Sequence, residues 1–324
     1  MKTILLTGAA GFIGAKTAER LLSEGYRVVG VDNLNGYYDL RLKKYRLERL
    51  AKSKNFKFIR ADVCHEITLR RIFKKYKPDA VMNLAAMAGV RTSLEKPVPY
   101  LMTNGVGALI LLECCRQFGV QKIIFASTSS LYAGEPVPFR ETLAVNQPIS
   151  PYAASKKTAE VFGWTYHHLY GLHVTVLRYF TVYGPAGRPD MSPFKFVKQI
   201  AEGGTITIYG DGSQRRDFTY IDDIARGTVE ALKLTGFHII NLGGNKPYRL
   251  DHFVGLIEKY LGKKARIRYK PWQKADMRDT WAEIQSARKF LDWKPETNLE
   301  EGLRQTVLWH KKNAMLVRKI SVDF

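Results

Sequence analysis

Residues 1–14, MKTILLTGAAGFIG, constrain this chain more than any other stretch. A short aliphatic and β-branched run enters Gly8-x-x-Gly11-x-x-Gly14, and an apolar helical pattern follows. Strand, tight turn and helix start bring backbone N–H groups and the positive end of a helix dipole to one point, where a pyrophosphate can sit. Gly8 allows the sharp turn, Gly11 the approach of backbone to phosphate, and Gly14 the packing of helix on strand. An ordinary strand–helix turn can also carry glycines, so the surroundings decide. Val28-Val29-Gly30-Val31 reads as a second strand and ends in Asp32, close to the offset of about 20 residues expected for a ribose-binding acid. A carboxylate there accepts bonds from a ribose 2′-OH and repels a 2′-phosphate, which favours NAD over NADP.

The rhythm that begins there continues to about Arg178. Strands are expected at 57–60 (followed by Ala61-Asp62-Val63), 80–84, 122–126 and 173–177, with long helices at 97–118 and 151–169 between the last three. Repeated β-then-α units with near-continuous apolar strands specify an α/β fold, a doubly wound parallel (Rossmann) sheet. Ligands in such sheets bind outside the carboxyl ends of the strands. After Arg178 the rhythm breaks into a Gly/Pro loop at 184–189, a helix at 192–201 with Ser192 as its cap, and a strand at 205–209. A further helix at 221–232 and a buried strand at 238–241 return toward the main sheet, and the tail 312–324 reads as loosely attached. The expected division is a dinucleotide domain at 1–178, rejoined by about 219–243, and a smaller discontinuous α/β substrate domain at 179–218 and 244–324.

With 324 residues, 45% of them hydrophobic and 25% charged, the chain can bury a large core. No apolar run approaches the roughly 20 residues of a membrane span, and the N-terminus enters a strand at once, unlike a signal peptide. Cys64, Cys114 and Cys115 have no metal-ligand spacing and their odd number argues against a disulfide framework, so no metal is expected and a reducing cytoplasm is the simple location. The net charge of +21 raises nucleic acid as a partner. However, the cations are spread over 41–57, 263–274 and 311–319 rather than gathered in one motif. Within 265–270, Arg266, Arg268 and Lys270 alternate with Ile267 and Tyr269, as on a half-exposed strand. A basic surface on an enzyme of anionic substrates accounts for this better than nucleic-acid binding.

Tyr152-Ala-Ala-Ser-Lys156 is the second anchor. Four residues apart on a helix, the two side chains share a face, and an ammonium beside a phenol favours its ionised form. Ser150-Pro151 suits a helix start at the carboxyl edge of the sheet. Taken with the glycine turn, Asp32, Asp62-Val63 and Arg178-Tyr179-Phe180, this pair resembles the extended short-chain dehydrogenase/reductase family of nucleotide-sugar epimerases and dehydratases. Asn83-Leu84-Ala85-Ala86, Asn104 and Gly210-Asp-Gly-x-Gln-x-Arg216-Asp217-Phe218 are also family-like, so the resemblance covers nearly the whole chain. It implies a bound NAD that takes a hydride from a sugar carbon and returns it, held by Gly8, Gly11, Phe12, Ile13, Gly14, Asp32, Asn33, Asp62, Val63, Leu84, Ala85, Ala86, Tyr152, Lys156 and Tyr179. It also implies a C-terminal part that grips a nucleoside diphosphate.

The family's dehydratases carry Asp-Glu after the Thr of the loop that is Ser127-Thr128-Ser129-Ser130 here, and its UDP-glucuronate decarboxylases and GDP-mannose dehydratases carry Glu where this chain has Ser130. Without a carboxylate there, net elimination lacks its catalyst, and epimerisation remains. Ala86-Met87-Ala88-Gly89-Val90-Arg91-x-Ser93, Arg178-Tyr-Phe-Thr181-Val-Tyr-Gly-Pro and Gly187-Arg188-Pro189-Asp190-Met191 are most similar to UDP-glucuronate 4-epimerases. The resemblance then implies Tyr152 as base, Lys156 as its activator and Thr128 as partner at O4, with a transient 4-keto sugar. Ser129, Ser130, Thr181 and Arg188 would hold the sugar carboxylate, although Arg188 also fits a loop brace or a diphosphate contact. Arg91 binds diphosphate or braces its loop, Arg216 binds diphosphate, and Phe194-Lys195-Phe196 and Tyr209 lie by the nucleotide unless the two phenylalanines are plain core. The sequence departs from the family at Ala15-Lys16, usually Ser-His, and at Lys274-Ala275-Asp276, usually Pro-Gly-Asp. The second departure lies by the nucleotide-ribose site to which Asp276 and Arg278 are carried over. A neutral UDP-hexose 4-epimerase uses a similar Thr/Ser-Tyr-Lys set and is the main alternative, ahead of a decarboxylase or dehydratase. Apolar stripes at Leu101, Val106, Leu109, Leu112 and at Val161, Trp164, Leu169 fit a homodimer through a four-helix bundle, which the family implies, or burial against the sheet.

Overall fold

The computed structural model describes residues 1–272 and 276–322. Its strands are β1 (Thr3–Thr7), β2 (Arg27–Asp32), β3 (Phe56–Arg60), β4 (Ala80–Asn83), β5 (Lys122–Thr128), β6 (His173–Tyr179), β7 (Thr181–Tyr183), β8 (Thr205–Tyr209), β9 (Arg215–Tyr220), β10 (Phe237–Leu242), β11 (Pro247–Arg249) and β12 (Arg266–Lys270). Seven of them form one parallel sheet in the order β10-β6-β5-β4-β1-β2-β3. Sequence order reverses between β1 and β4, which opens a crevice at their carboxyl ends.

The strands are apolar on both sides because helices cover both faces of the sheet. Ile4 and Leu6 of β1 join one core cluster with Ala18 and Leu21 of the helix Phe12–Ser23. Leu5, between them, points the other way into a cluster with Ile72, Leu111 and Ala159. A second body holds the short sheet β11-β9-β7 and the parallel pair β12-β8. Its core gathers Phe196, Ile206, Phe218, Phe253 and Leu303, with Phe218 stacked on Phe253 at 4.2 Å.

Several details differ from the expectation. β5 and β6 run two residues further than predicted, to Thr128 and Tyr179, so the residues at their ends are held by ladder pairing. Ser192 is the first residue of the helix Ser192–Ala201 and not its cap; Met191 stands before it without a side-chain bond. The helical path Pro97–Phe118 is 22 residues long with mean hydropathy 1.4, long and apolar enough on those counts to cross a membrane. Half of that window is buried within the protein, including Ala108, Leu111 and Leu112. It is interrupted by a π-helical turn, Leu101–Val106. Leu112 of the predicted dimer stripe faces the core, whereas Leu101, Val161, Trp164 and Leu169 are exposed. β12 is exposed along its whole length, not half-exposed, because it is paired only with β8. The tail is not loose: Val317, Ile320 and Val322 are buried against Tyr38, Leu42 and Phe194.

Candidate functional site

The glycine turn after β1 is built from bare backbone. Gly8 has φ +71, and a Cβ on it would stand 2.7 Å from the Leu84 carbonyl and the Ala85 nitrogen beyond β4. A Cβ on Gly14 would come within 2.0 Å of the Gly8 carbonyl oxygen, and the Gly11 N–H donates to that same oxygen at 2.9 Å. The turn has no room for side chains and opens onto the start of the helix Phe12–Ser23, as a cradle for a pyrophosphate requires. At the end of β2, the buried Asp32 carboxylate accepts from the Ala10 N–H at 3.2 Å and the Leu34 N–H at 2.8 Å. Lys43, itself buried, lies 3.4 Å from Asp32, so the repulsion of a 2′-phosphate read from the sequence is partly neutralised. Asn33 donates to Asp62 at 2.7 Å. Burial raises the Asp62 carboxyl, but bonds from the Cys64 N–H and Asn33 outweigh it and leave the group below its ordinary range. Val63 packs under Gly107 of the next helix.

The reacting end lies across the crevice. The helix Pro151–Tyr170 starts at the expected Ser150 cap, whose hydroxyl accepts from the Ala153 N–H at 3.2 Å. Tyr152 on its first turn meets Tyr100 edge-on, ring centroids 6.1 Å apart. Burial pushes the phenol above its ordinary value, against which the Thr128 hydroxyl and the charge of Arg188 work. Thr128 ends β5 and caps the turn Ser129–Tyr132 by accepting from the Ser130 N–H at 3.1 Å. Lys156 donates to the Ala126 carbonyl at 2.8 Å, and burial pulls its ammonium down to about 7 despite nearby Glu160. Glu160 is committed elsewhere: it takes two bonds from buried Arg178, at 3.0 and 2.7 Å, and one from Ser127 at 2.6 Å. Arg178 therefore fixes the ends of β5 and β6 from beneath and does not face the crevice.

The substrate candidates fall into two groups. Arg188 forks onto Asp190 through Nε at 3.1 Å and Nη2 at 2.5 Å, and Nη2 also reaches the Ala88 carbonyl at 3.1 Å. Burial opposes its charge, but Asp190 holds the guanidinium above its ordinary value. Ser129, Ser130 and Thr181 lie where β5 ends and β7 begins. The second group joins the helix Val90–Glu95 to the segments that carry Tyr209, Arg216, Asp276 and Arg278. The Arg91 guanidinium lies 3.8 Å over the Tyr209 ring and bonds Asp276 at 2.5 Å. Arg216 donates to the Arg278 carbonyl at 2.9 Å, and burial lowers its pKa against the pull of Asp276 and Asp279. Lys274 and Ala275 lie outside the described residues.

Two assignments change character. The Tyr179 phenol is buried and bonded to Thr228 at 2.9 Å, so Tyr179 offers a cofactor only backbone. Phe194 and Phe196 are core side chains, the first by Tyr38, Leu42 and Trp309, the second in the C-terminal core. Lys195 between them is half-buried. Sequence reasoning gave no role to Asn104, which sits in the π-turn, accepts from the Met87 N–H at 3.0 Å and donates to Ser155 at 2.9 Å. It also overlooked Tyr37, bonded to the Ala88 carbonyl at 2.7 Å, although the tyrosine pair Tyr37-Tyr38 in the loop after Asp32 was a visible signal.

The family model described as GDP-mannose 4,6 dehydratase matches residues 5–306. A UDP-glucuronate 4-epimerase of Thermodesulfobacterium geofontis is 55% identical over 319 residues, 98% of this chain and 99% of that protein. The crystal structure of UDP-glucuronic acid 4-epimerase from Bacillus cereus, in complex with UDP-glucuronic acid and NAD, superposes with a TM-score of 0.91 at 37% identity, over 96% of this chain and 99% of that one. UDP-glucose 4-epimerase of Thermotoga maritima, with UDP-glucose, gives 0.87 at 34% identity over 96% and 99%.

The lowered Lys156 sets a pH dependence. Its folded-state pKa lies below the ordinary lysine value, so the fold favours the neutral amine and loses stability as pH falls from about 10 toward about 7. Lys156→Met removes this penalty. In urea denaturation of cofactor-free protein the variant should gain on wild type across that range, by on the order of 3 kcal/mol at its lower end, with a flat difference below pH 6.

Proposed function

The chain belongs to the extended short-chain dehydrogenase/reductase family of nucleotide-sugar epimerases and dehydratases, and on that premise we propose that it is an NAD-dependent 4-epimerase interconverting UDP-glucuronate and UDP-galacturonate. One observation carries the choice: the loop after Thr128 offers Ser129 and Ser130 in place of a carboxylate, with the Arg188 guanidinium held on Asp190 and the Ala88 carbonyl. When bound, NAD supplies a hydride acceptor and donor for sugar C4. The glycine turn, Asp32 with Asn33, and the 84–86 backbone would hold it.

Tyr152 takes the O4 proton and returns it. Thr128 shares the O4 bond, and Lys156, turned from the Ala126 carbonyl toward the cofactor ribose, stabilises the phenolate. Arg188 keeps Nη1 for the sugar carboxylate while Nε and Nη2 stay on Asp190 and Ala88. A 4-keto uronate loses CO2 when its carboxylate stands perpendicular to the ketone. Charge-assisted bonds from Arg188, with donors from Ser129, Ser130 and Thr181, hold it off that alignment. Arg91, Arg216 and Arg278 take the diphosphate and ribose side with Tyr209 and Asp276. A neutral UDP-hexose would use the same phenol and threonine; the half-buried Arg188 cation favours the uronate.

Leu101, Met102, Val161, Trp164 and Leu169 form an exposed apolar face on the paired helices, and we assign it to a second copy of the chain. The three cysteines are unpaired, which suits a reducing cytoplasm.

NMR of products formed from UDP-glucuronate without added NAD should show UDP-galacturonate; unchanged substrate from protein loaded with NAD rejects the reading. Tyr152→Phe should lower kcat about a thousand-fold and leave NAD and UDP-sugar affinity nearly intact. Arg188→Ala should lose activity on uronates with far less effect on UDP-glucose, whereas equal losses would favour the neutral-sugar reading. Trp164→Glu should halve the mass seen by sedimentation if the apolar face joins two copies.

A further inference from the structure

Arg46, on the helix Leu40–Leu50, is buried and pairs with no carboxylate among the described residues. Its Nη1 donates to the Ala10 carbonyl at 3.0 Å, inside the glycine turn, and to the Tyr38 hydroxyl at 2.7 Å. Nε and Nη2 both donate to the Ala186 carbonyl, at 3.1 and 2.7 Å, and Nη2 also reaches Gly187 at 3.0 Å. One guanidinium therefore ties the dinucleotide turn to the loop that carries Arg188. That loop is strained: Ala186 has φ +55, a left-handed backbone that a non-glycine residue keeps only where its surroundings enforce it. Two bonds to the Ala186 carbonyl enforce it. Tyr38, bonded to Arg46, presents its ring to Arg188 at 5.9 Å and to Lys43 at 5.3 Å, and Lys43 pairs with Asp32. The line from Asp32 to Arg188 runs through Lys43 and Tyr38, and Arg46 holds the Tyr38 hydroxyl beside it.

We propose that Arg46 is a positioning residue for uronate recognition, fixing the 184–188 loop against the glycine turn so that Arg188 is presented to a hexuronate carboxylate. The identity of the ligand rests on the epimerase reading above. Arg46 acts through backbone carbonyls and through Arg188. A planar fork can serve carbonyls from two loops at once, which the single centre of a lysine ammonium does less well.

The test uses NAD-loaded protein in which Tyr152→Phe stops turnover, with UDP-glucuronate, UDP-glucose and UDP titrated by calorimetry. The background protein should prefer UDP-glucuronate to UDP-glucose. Adding Arg46→Met should cut that preference at least ten-fold and leave UDP affinity within about three-fold, and Arg46→Lys should fall between. Arg46→Lys keeps the charge and the stem, and decides alone where Arg46→Met yields no folded protein. A parallel weakening of all three ligands, an unchanged preference, or no uronate preference in the background protein overturns the proposal. A wild-type protein that fails to interconvert the uronates while the preference is present and responds to Arg46 strikes the reaction reading alone.

Discussion

Everything at the carboxyl edge of the sheet depends on two backbones touching without side chains between them. Gly8 lies against Leu84 and Ala85 because neither the turn nor the segment after β4 places an atom in the gap. That contact occurs where strand order reverses, so the crevice opens between two segments already locked together. The Thr7 hydroxyl strengthens the lock: it donates to Asn83 at 2.6 Å and accepts from the Ala85 N–H at 3.2 Å. The phosphate cradle and the far wall of the crevice are thereby a single rigid piece.

The electrostatics follow a division of labour between cations. Arg178 consumes Glu160, the acid one helical turn beyond Lys156, and thereby leaves Lys156 undercompensated in a dry site. A lysine in that state gains from any new partner that approaches it. Arg188, by contrast, is anchored to Asp190 and keeps its charge. Only Arg188 of the two works on the Tyr152 phenol in this structure, whereas Lys156 is held by the Ala126 carbonyl.

Much of this was legible in the sequence because it is local. The glycine turn, the acid at the end of β2, the Ser150 cap and the tyrosine–lysine spacing are short-range patterns whose geometry follows from strand and helix periodicity. The absence of a carboxylate at Ser129 and Ser130 was equally direct. The remainder came from contacts between distant segments. Helical spacing left Phe194 open between core and nucleotide, and no periodicity announces that Tyr179 would turn to Thr228 or that Arg46 would find carbonyls 140 and 141 positions away. Lys43 beside Asp32 was missed for a related reason: a lysine on a basic helix reads as solvated until the loop before it folds back.

The docking of residues 317–322 on Tyr38 and Leu42 carries a kinetic meaning. The Ser321 N–H reaches Asp39, its neighbour in space although 282 positions distant along the chain. Contacts of such separation slow folding, because the chain between them must pay its closure entropy before they reward it. The outer wall of the loop beyond β2 is thus among the contacts that weigh most against fast assembly.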